Sequence, residues 1–228
     1  MKQVQYSGFE LDHFDSAINF RYYQLSLIQK YLKNNLLEVG AGKGGLAMVY
    51  KKLLRNITLL EPDKILFKIL KKKIKDKNIL IENRSIKNLK TKFSTIIYFD
   101  VLEHIKNDLL EVKTAAKKLK PGGYLIFSVP ACQIFYSEFD KSVGHFKRYN
   151  KNDFRTLSKK SGLEIEKLLY YDSIGFLFLM FNKIFSLRSS NLKLKISLWN
   201  FLIPISKIID LLTFHKFGKS LVCIFKKK

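Results

Sequence analysis

Residues 36–45 constrain the fold of this chain more than any other segment. Leu36, Leu37 and Val39 are apolar and suit a buried strand, and the glycines that follow suit a tight turn. The apolar run at 46–49 then begins a helix, whose N-terminus would offer unpaired backbone N–H groups. Since glycine lets the backbone come into contact with a bound molecule, this turn is predicted to hold a ligand.

The glycine spacing alone leaves the identity of that ligand open. Gly40, Gly42 and Gly45 also satisfy the G-x-G-x-x-G pattern of a dinucleotide site, and Glu61 follows about twenty residues later, as that site requires. Glu38 argues for a different ligand, because a carboxylate at the end of the strand attracts a cationic group and repels a pyrophosphate. A dinucleotide site and a purely structural turn both remain open at this point.

Strands and helices are predicted to alternate along most of the chain. Apolar runs bounded by turn residues predict strands, and apolar residues at helical spacing predict the helices between them. The predicted strands cover residues 36–39, 56–60, 78–81, 94–99, 124–130, 163–170 and 220–225. This alternation implies right-handed crossovers, a parallel sheet and an α/β fold, in which ligands bind beyond the carboxyl ends of the strands.

Four motifs in order carry a resemblance to a known family. They are Leu-Glu-Val-Gly-Ala-Gly-Lys-Gly at 37–44, Leu-Glu-Pro-Asp at 60–63, Asp-Val-Leu-Glu-His-Ile at 100–105, and Leu-Lys-Pro-Gly-Gly at 119–123 before a strand that ends in Val-Pro. Together they resemble the successive motifs of class I S-adenosylmethionine-dependent methyltransferases, over about residues 15–171. The resemblance implies S-adenosylmethionine as the cofactor and a Rossmann-like, seven-stranded, mostly parallel sheet with helices on both faces.

The same resemblance implies which residues would bind the methyl donor. Glu38 and the glycine turn would hold its methionine end, Glu61 its ribose hydroxyls, and Ser85 and Ile86 its adenine. Ser85 departs from the family pattern, since many members have aspartate there. Asp100, which follows the fourth predicted strand, would shape the donor pocket or simply cap a turn. The predicted cofactor-binding residues are Glu38, Gly40, Ala41, Gly42, Gly44, Glu61, Pro62, Ser85, Ile86, Asp100 and Val101.

The segment after the fifth strand carries the predicted acceptor site. Residues 130–149 resemble a subgroup of small-molecule methyltransferases, some of which occur with polysaccharide or glycolipid enzymes, so a saccharide, glycolipid or lipid-like acceptor is expected. His145 is the candidate general base for a hydroxyl acceptor, with a structural or orienting histidine as the alternative. Arg148 and Tyr149 are expected to contact an anionic or sugar-bearing acceptor. The predicted substrate-binding residues are Tyr22, His104, Arg148 and Tyr149.

Three other classes of function stay open on the sequence alone. A nucleic-acid methyltransferase of the base-amino type would carry Asp/Asn-Pro-Pro-Tyr after the fourth strand, where this chain has Asp-Val-Leu-Glu at 100–103. An NAD-dependent oxidoreductase would need a hydride-transfer constellation, and none is found in the sequence. A non-catalytic ligand-binding module is the third class. Because a sulfonium donor carries its own leaving group, no metal site is predicted.

The net charge of +23 does not identify a partner by itself. Only six of the 42 basic residues are arginine, the residue favoured for phosphate and base contacts, so nucleic acid is disfavoured. A solvated lysine-rich surface and contact with an anionic membrane surface are the other interpretations. Cys132 and Cys223 form no C-x-x-C pair, and residues 1–7 lack the apolar core of a signal peptide. Both features predict a cytoplasmic protein.

The chain is predicted to have three parts. They are an N-terminal helical lid at 1–35, the methyltransferase domain at 36–171 and 220–228, and a helical insertion before the last strand at 172–219. Apolar runs at 174–181 and 198–205, each flanked by lysines, are shorter than the roughly 20 residues of a membrane-spanning helix. The insertion is therefore expected to rest peripherally on the inner face of a membrane or to close over a lipid-like acceptor. Simple packing on the catalytic domain or on a second subunit is the alternative.

Overall fold

The computed structural model describes residues 16–185 and 192–228. Its helices are α1 (Ile18–Ile28), α2 (Gly45–Tyr50), α3 (Lys64–Lys73), α4 (Asp108–Lys118), α5 (Glu138–Ser142), α6 (Lys151–Ser161), α7 (Ser173–Phe185) and α8 (Leu192–Leu212). Its strands are β1 (Leu36–Val39), β2 (Ile57–Leu60), β3 (Ile79–Glu82), β4 (Phe93–Phe99), β5 (Leu119–Pro130), β6 (Glu164–Tyr171) and β7 (Ser220–Lys226). The first 15 residues of the predicted N-terminal lid, and residues 186–191 of the predicted insertion, lie outside the described residues.

The seven strands form one sheet in the order β3-β2-β1-β4-β5-β7-β6. Strands β1 to β5 run parallel, and β7 is antiparallel to both β5 and β6. The predicted seven-stranded, mostly parallel sheet is therefore confirmed. Because the chain continues from β1 to β2 on one side and returns to β4 on the other, the ends of β1 and β4 flank a topological switch point. Open α/β sheets bind ligands there.

Both faces of the sheet are covered, as strand β1 shows. All four of its residues are buried, and successive side chains point to opposite faces. Leu36 packs in a cluster with Tyr50 of α2, whereas Leu37 packs with Val112 of α4 and Phe154 of α6. Burial on both faces explains why this strand is continuously apolar apart from one glutamate.

Strand β5 begins earlier than the sequence predicted. The Lys-Pro-Gly-Gly segment was expected to be a break before the strand, but it forms the first part of β5, from Leu119. The register with β4 is irregular between Phe93 and Thr95, and Gly122 has a positive φ of 68° while its N–H donates to the carbonyl of Lys227. The turn residues are thus accommodated by an irregular start of the strand.

Helices α7 and α8 connect β6 to β7 and pack against each other, and α8 also packs with α1. Trp199 of α8 is buried, and its ring lies 4.5 Å from that of Phe20 in α1. The hydroxyl of Tyr23 donates to Oδ2 of Asp210 at 2.6 Å. The Trp199 Nε1–H in turn lies 2.9 Å from Oδ2 of Asp172, at the end of β6. These contacts tie one face of the two-helix connection to the rest of the protein. Among the helices described, no segment has the length and apolar character required to cross a membrane.

Candidate functional site

The glycine turn closes tightly between β1 and α2. Gly40, Gly42 and Gly44 have positive φ angles of 71°, 56° and 81°. The N–H groups of Gly40 and Ala41 both donate to the carbonyl of Leu60, and the N–H of Gly44 donates to the carbonyl of Ala41. The turn uses these three N–H groups itself, whereas the prediction of unpaired N–H groups concerned the N-terminus of the helix that follows and stays a prediction. The glycines therefore provide shape and close approach.

The same glycines leave no room for side chains around the turn. A Cβ added to Gly40 would lie 2.6 Å from Cγ2 of Val101, which follows β4. A Cβ added to Gly44 would lie 2.8 Å from Cδ1 of Leu70 in α3. The turn is thus pressed against the segment after β4, which places Val101 directly beside it.

Glu61 is a buried carboxylate that the turn fixes in place. Its Oε2 accepts a hydrogen bond from the N–H of Gly42, and its Oε1 accepts one from the N–H of Asp63, both at 2.8 Å. Burial raises the pKa of this carboxyl, while the two N–H groups oppose the rise. The Nδ2 group of Asn83 donates to the backbone carbonyls of Glu61 and Pro62 and holds the turn after β2. Each carboxylate oxygen keeps a further lone pair for a ligand.

Glu38 occupies the centre of the sheet end. Its side chain is buried and accepts a hydrogen bond from the hydroxyl of Tyr50 in α2. Burial and the neighbouring carboxylate raise the pKa of Tyr50 well above its usual range, so its proton stays on the phenol. A fixed donor of this kind orients Glu38, and its predicted contact with the methionine end of the donor stays a prediction.

The two residues predicted to bind adenine differ in accessibility. Ser85 is exposed, and its Oγ accepts a hydrogen bond from the N–H of Lys87 at 3.4 Å. Ile86 is fully buried and packs in the core with Leu37 and Leu60. The prediction for Ile86 is corrected accordingly, because this residue has no surface that a ligand can contact.

Helix α1 contributes polar residues that the sequence analysis missed. The Nη1 of Arg21 lies 3.5 Å from Oδ2 of Asp100 and donates to Oε1 of Gln24 at 2.9 Å. Gln24 is buried and donates to the hydroxyl of Tyr171 at 3.0 Å, and Oγ of Ser128 lies 2.6 Å from the same hydroxyl. Two polar residues three apart share a helix face, and that spacing within an apolar helix was an available signal. This network closes the ends of β4 and β5.

Tyr22 lies elsewhere on the same helix. Its side chain is 57% exposed, while the adjacent Tyr23 is buried against Asp210. Helix α1 thus presents Arg21 to the strand ends and Tyr22 to solvent. The predicted contact of Tyr22 with an acceptor stays a prediction.

His145, Asp140 and Arg148 form one buried cluster after β5. The Nδ1 of His145 lies 2.9 Å from Oδ1 of Asp140. Arg148 donates through Nε to Oδ1 of Asp140 at 2.9 Å and through Nη2 to Oδ2 at 3.1 Å. Burial alone would raise the pKa of Asp140, but the bonds from His145 and Arg148 hold it at about 2. Two of the three guanidinium nitrogens of Arg148 are therefore occupied, while its buried Nη1 has no hydrogen-bond partner among the described residues. The predicted contact of Arg148 with an anionic acceptor stays a prediction.

Tyr149 also differs from its prediction. The residue is fully buried, and its hydroxyl lies 3.2 Å from both the Leu102 carbonyl and Oδ2 of Asp108. The ring therefore supports the loop from inside, and the expectation that it contacts a sugar is corrected. Sequence spacing does not distinguish a buried tyrosine from one that lines a pocket.

Glu103 and His104 belong to a 3-10 turn, Leu102–His104, that follows β4. Both residues lie beside His145. Glu103 is buried, and within the described part of the chain neither of its carboxylate oxygens has a hydrogen-bond partner. Its Oε1 lies 3.9 Å from Nε2 of His145. The rings of His104 and His145 pack edge to face with centroids 4.7 Å apart. Burial, with a smaller effect of His145, lowers the pKa of His104 to about 4.

The comparison with protein families gives one match. A model of the methyltransferase domain matches residues 14–168, which is more than half of the chain. The chain therefore belongs to the methyltransferase-domain family, whose class I fold and glycine turn the structure has. A search of curated proteins found no match.

Solved structures agree on the fold. The chain is similar to an S-adenosylmethionine-dependent methyltransferase from Clostridium acetobutylicum, with a TM-score of 0.59 and 13% identity over 96% of each chain. It is similar to magnesium protoporphyrin IX methyltransferase from Synechocystis, at a TM-score of 0.59 and 12% identity, over 95% of this chain and 84% of that one. It is also similar to phosphoethanolamine N-methyltransferase 2 from Haemonchus contortus, with a TM-score of 0.64 and 15% identity, over 99% of this chain and 58% of that one. At these identities the likeness shows the fold, and the acceptor has to be argued from this chain.

Proposed function

We propose that this protein binds S-adenosylmethionine and transfers its methyl group to a small-molecule acceptor. The observation that carries the proposal is Glu61, a buried carboxylate held by two backbone N–H groups directly beside the glycine turn. A fixed, charged acceptor at this position suits a pair of ribose hydroxyls. The close approach of Gly40 to Val101 keeps side chains out of the neighbouring space.

The chain's residues would align and shield the reacting groups. When bound, the sulfonium donor supplies the methyl carbon: the acceptor's lone pair bonds to it as the carbon–sulfur bond breaks, and the electron pair of that bond stays on sulfur. The proton that the acceptor gives up passes to solvent. Glu38 and Asp100 place negative charge near the ends of β1 and β4, which favours a cationic ligand. Helix α1 covers this edge through Arg21 and Gln24, which would exclude water from the transfer.

Calorimetric titration separates this proposal from its alternatives. S-adenosylmethionine, S-adenosylhomocysteine, NAD and a short RNA would each be titrated into the same preparation. We expect one site for the methionine-derived ligands and no saturable heat for NAD or RNA. Saturation by NAD alone would favour an oxidoreductase, and saturation by RNA alone a nucleic-acid binder. A folded protein that binds neither methionine-derived ligand would contradict the proposal.

We further propose that the acceptor is lipid-linked and is met at the cytoplasmic surface of an anionic membrane. The supporting feature is the outer face of α8, which we call the apolar stripe. Its members recur every three or four residues and are exposed; they are Leu194, Leu198, Phe201, Ile205, Ile208 and Leu212. The opposite face of the helix, with Ile196, Trp199 and Ile203, is buried. Packing inside the protein therefore accounts for one face only, and an apolar stripe of this length marks an interaction surface.

Charge favours a membrane as the partner of the apolar stripe. Lys193, Lys207 and Lys216 are exposed around it, whereas Asp172 and Asp210 are fully buried. Lys183 and Lys219 contribute less than the sequence implied, because Lys183 donates to the carbonyl of Ile134 and Lys219 pairs with Asp172. Each basic residue near an anionic surface adds about 1 kcal/mol of attraction. A helix with this composition lies in the plane of the interface.

Liposome co-sedimentation tests the membrane proposal. Wild type should sediment with vesicles of anionic lipid at low salt, less at high salt, and not with neutral vesicles. Phe201→Asp should abolish this, while Ile65→Asp, which alters an exposed isoleucine of α3, should leave it intact. Equal sedimentation of both variants with wild type would contradict the proposal. A concentration-dependent dimer that Phe201→Asp dissociates, without any vesicle binding, would assign the stripe to a second copy of the chain instead.

A further inference from the structure

We propose that Glu103, His104 and His145 bind a divalent transition-metal ion on the acceptor side of the site. Each of the three residues offers one ligand atom, and these atoms all lie within 4.8 Å of one another. Ligands about 2.0–2.2 Å from a zinc ion lie up to roughly 4 Å apart, so small side-chain rotations would close the group around an ion. The ion binding itself does not depend on the function proposed above; only its role in methyl transfer does.

Glu103 provides the first argument. A buried carboxylate is costly unless it is paired, hydrogen-bonded or coordinated to a metal. Only 1% of the residue is exposed, and both of its oxygens lack hydrogen-bond partners within residues 16–185 and 192–228. The other buried carboxylates of the site are not left in this way, since Glu61 accepts two N–H groups and Asp140 accepts bonds from Arg148. Glu103 has two charged or chargeable neighbours, Arg148 and His145, but neither donates a hydrogen bond to it within the described residues, so a bound cation would supply the missing partner.

His145 provides the second argument. Its Nδ1 lies 2.9 Å from Oδ1 of Asp140, and Asp140 is itself held by Arg148. A carboxylate bonded to one imidazole nitrogen fixes the ring and directs the other nitrogen to a metal, which is the usual outer-shell arrangement of metal-binding histidines. The other nitrogen here is Nε2, and it lies 3.9 Å from Oε1 of Glu103. The cluster thus contains both a ligand and the group that orients it.

His104 completes the set from the same turn as Glu103. Its ring contacts that of His145 edge to face. The Nδ1 atom of His104 lies on the side of Gly144, because a Cβ built on Gly144 would be 3.6 Å from it. One carboxylate and two imidazoles favour zinc, iron or related ions over magnesium and calcium, which prefer oxygen ligands throughout. Three protein ligands leave a coordination position open, as catalytic sites do.

The position of the cluster assigns it to the acceptor. Glu103 follows Asp100 by three residues, and Val101 between them contacts the glycine turn. An ion there would coordinate an oxygen of the acceptor and lower the pKa of a bound hydroxyl. The bound hydroxyl would release its proton to solvent, and its oxygen would bond to the methyl carbon as the carbon–sulfur bond breaks and sulfur keeps the electron pair. In this arrangement His145 is a ligand, and this replaces its predicted role as a free general base.

Competition for zinc with a chromophoric chelator, using protein first stripped of metal, tests the inference. Wild type should take up one ion. Glu103→Gln and His104→Gln should each lose more than the roughly 10- to 100-fold in affinity that removal of an outer-shell partner costs, and Asp140→Asn should fall within that range. The matched control is His215→Gln, which removes a histidine bonded to the carbonyl of Tyr170 and should leave zinc affinity unchanged.

Titration of S-adenosylhomocysteine into the same variants keeps the two proposals apart. Unchanged binding of this ligand would show that Glu103→Gln and His104→Gln are folded and that their loss of zinc is local. Wild type that takes up no zinc, or Glu103→Gln with wild-type zinc affinity, would overturn the metal site. Zinc binding without any binding of S-adenosylhomocysteine would contradict the proposed function and leave the metal site standing.

Discussion

Glu61 and Glu103 are both buried carboxylates, located after the two strands that flank β1, and the protein treats them differently. Glu61 accepts one backbone N–H on each oxygen. Glu103 accepts no hydrogen bond within the described part of the chain. Burial raises the pKa of both groups, and for Glu61 the N–H groups of Asp63 and Gly42 counteract that rise.

This difference separates two ways of building a binding site. The chain completes the environment of Glu61 from its own backbone, so this carboxylate is fixed before any ligand arrives. Glu103 lies 3.9 Å from Nε2 of His145 but accepts no hydrogen bond from the described residues, so its oxygens remain open to a ligand. We therefore assign Glu61 to an organic ligand that adds hydrogen bonds to a satisfied group, and Glu103 to a cation.

The largest predicted effect concerns Asp140, a third carboxylate whose partner is part of the chain. Asp140→Ala would leave the buried Arg148 without its counter-charge, and loss of one partner of a buried pair costs about 3–5 kcal/mol. Urea denaturation of metal-free protein measures this loss. The control is Asp76→Ala, whose pair with Lys51 is partly exposed and should contribute at most about 1 kcal/mol. Equal losses in the two variants would contradict the prediction.

The dependence of the free energy of unfolding on acidic pH should also report on Asp140. The pKa of Asp140 is about 2 in the folded protein against an ordinary value of 3.8, so below 3.8 the unfolded chain binds the proton more readily. The stabilisation, about 2 kcal/mol, is fully present above pH 3.8 and is lost as the pH falls through about 2. Thermal unfolding of wild type and Asp140→Asn between these limits should therefore converge as the pH falls. Parallel curves would exclude Asp140 as the group responsible.

The next largest loss of stability is expected from substitution of Gly40, in the glycine turn beside Glu61. Gly40→Ala imposes a positive φ on alanine, at about 1–2 kcal/mol, and adds the overlap with Val101. Gly122→Ala is the matched control, since Gly122 also has a positive φ but nothing lies within 4 Å of its added Cβ. We expect Gly40→Ala to lose more stability than Gly122→Ala in urea denaturation. Addition of Val101→Ala should recover the excess; no recovery would mean that the contact with Val101 is unimportant.

Replacing Glu61 and Glu103 in turn by glutamine tests whether the two buried carboxylates differ in their hydrogen bonding. Glu61→Gln turns an NH₂ group toward a backbone N–H and leaves that donor unpaired, which costs about 1–3 kcal/mol. Glu103→Gln replaces a buried carboxyl group without breaking a described hydrogen bond, so metal-free protein should lose no stability. Differential scanning calorimetry of the two variants measures both effects. A larger loss for Glu103→Gln would show that the comparison is wrong.

The smallest effect is expected at Tyr22. Its side chain is mostly exposed, and Tyr22→Ala should change stability by no more than about 0.5 kcal/mol, as surface substitutions usually do. Donor affinity should also stay at the wild-type value. A raised KM for the acceptor, at unchanged kcat, is the result that would support the predicted substrate contact, and wild-type kinetics would remove it.

The sequence was sufficient to predict the sheet and the glycine turn, because their signals are local. The apolar run of β1, its glycines and the carboxylate after β2 each follow from neighbouring residues. The acceptor side could not be derived in this way. Glu103, Asp140 and His145 meet through the packing of separate segments, and burial of Tyr149 and Ile86 depends on residues far away in the chain. Arg21 was missed because a charged residue on a helix normally faces solvent.

Titration of S-adenosylhomocysteine into wild type, Glu61→Gln and Glu103→Gln tests the central claim most directly. Wild type should bind one molecule. Glu61→Gln should lose the 1.5–3 kcal/mol of a charged hydrogen bond, a factor of about 10 to 100 in affinity, whereas Glu103→Gln should bind as wild type does. Unchanged affinity in Glu61→Gln, or a greater loss in Glu103→Gln, would contradict the assignment of the donor to Glu61.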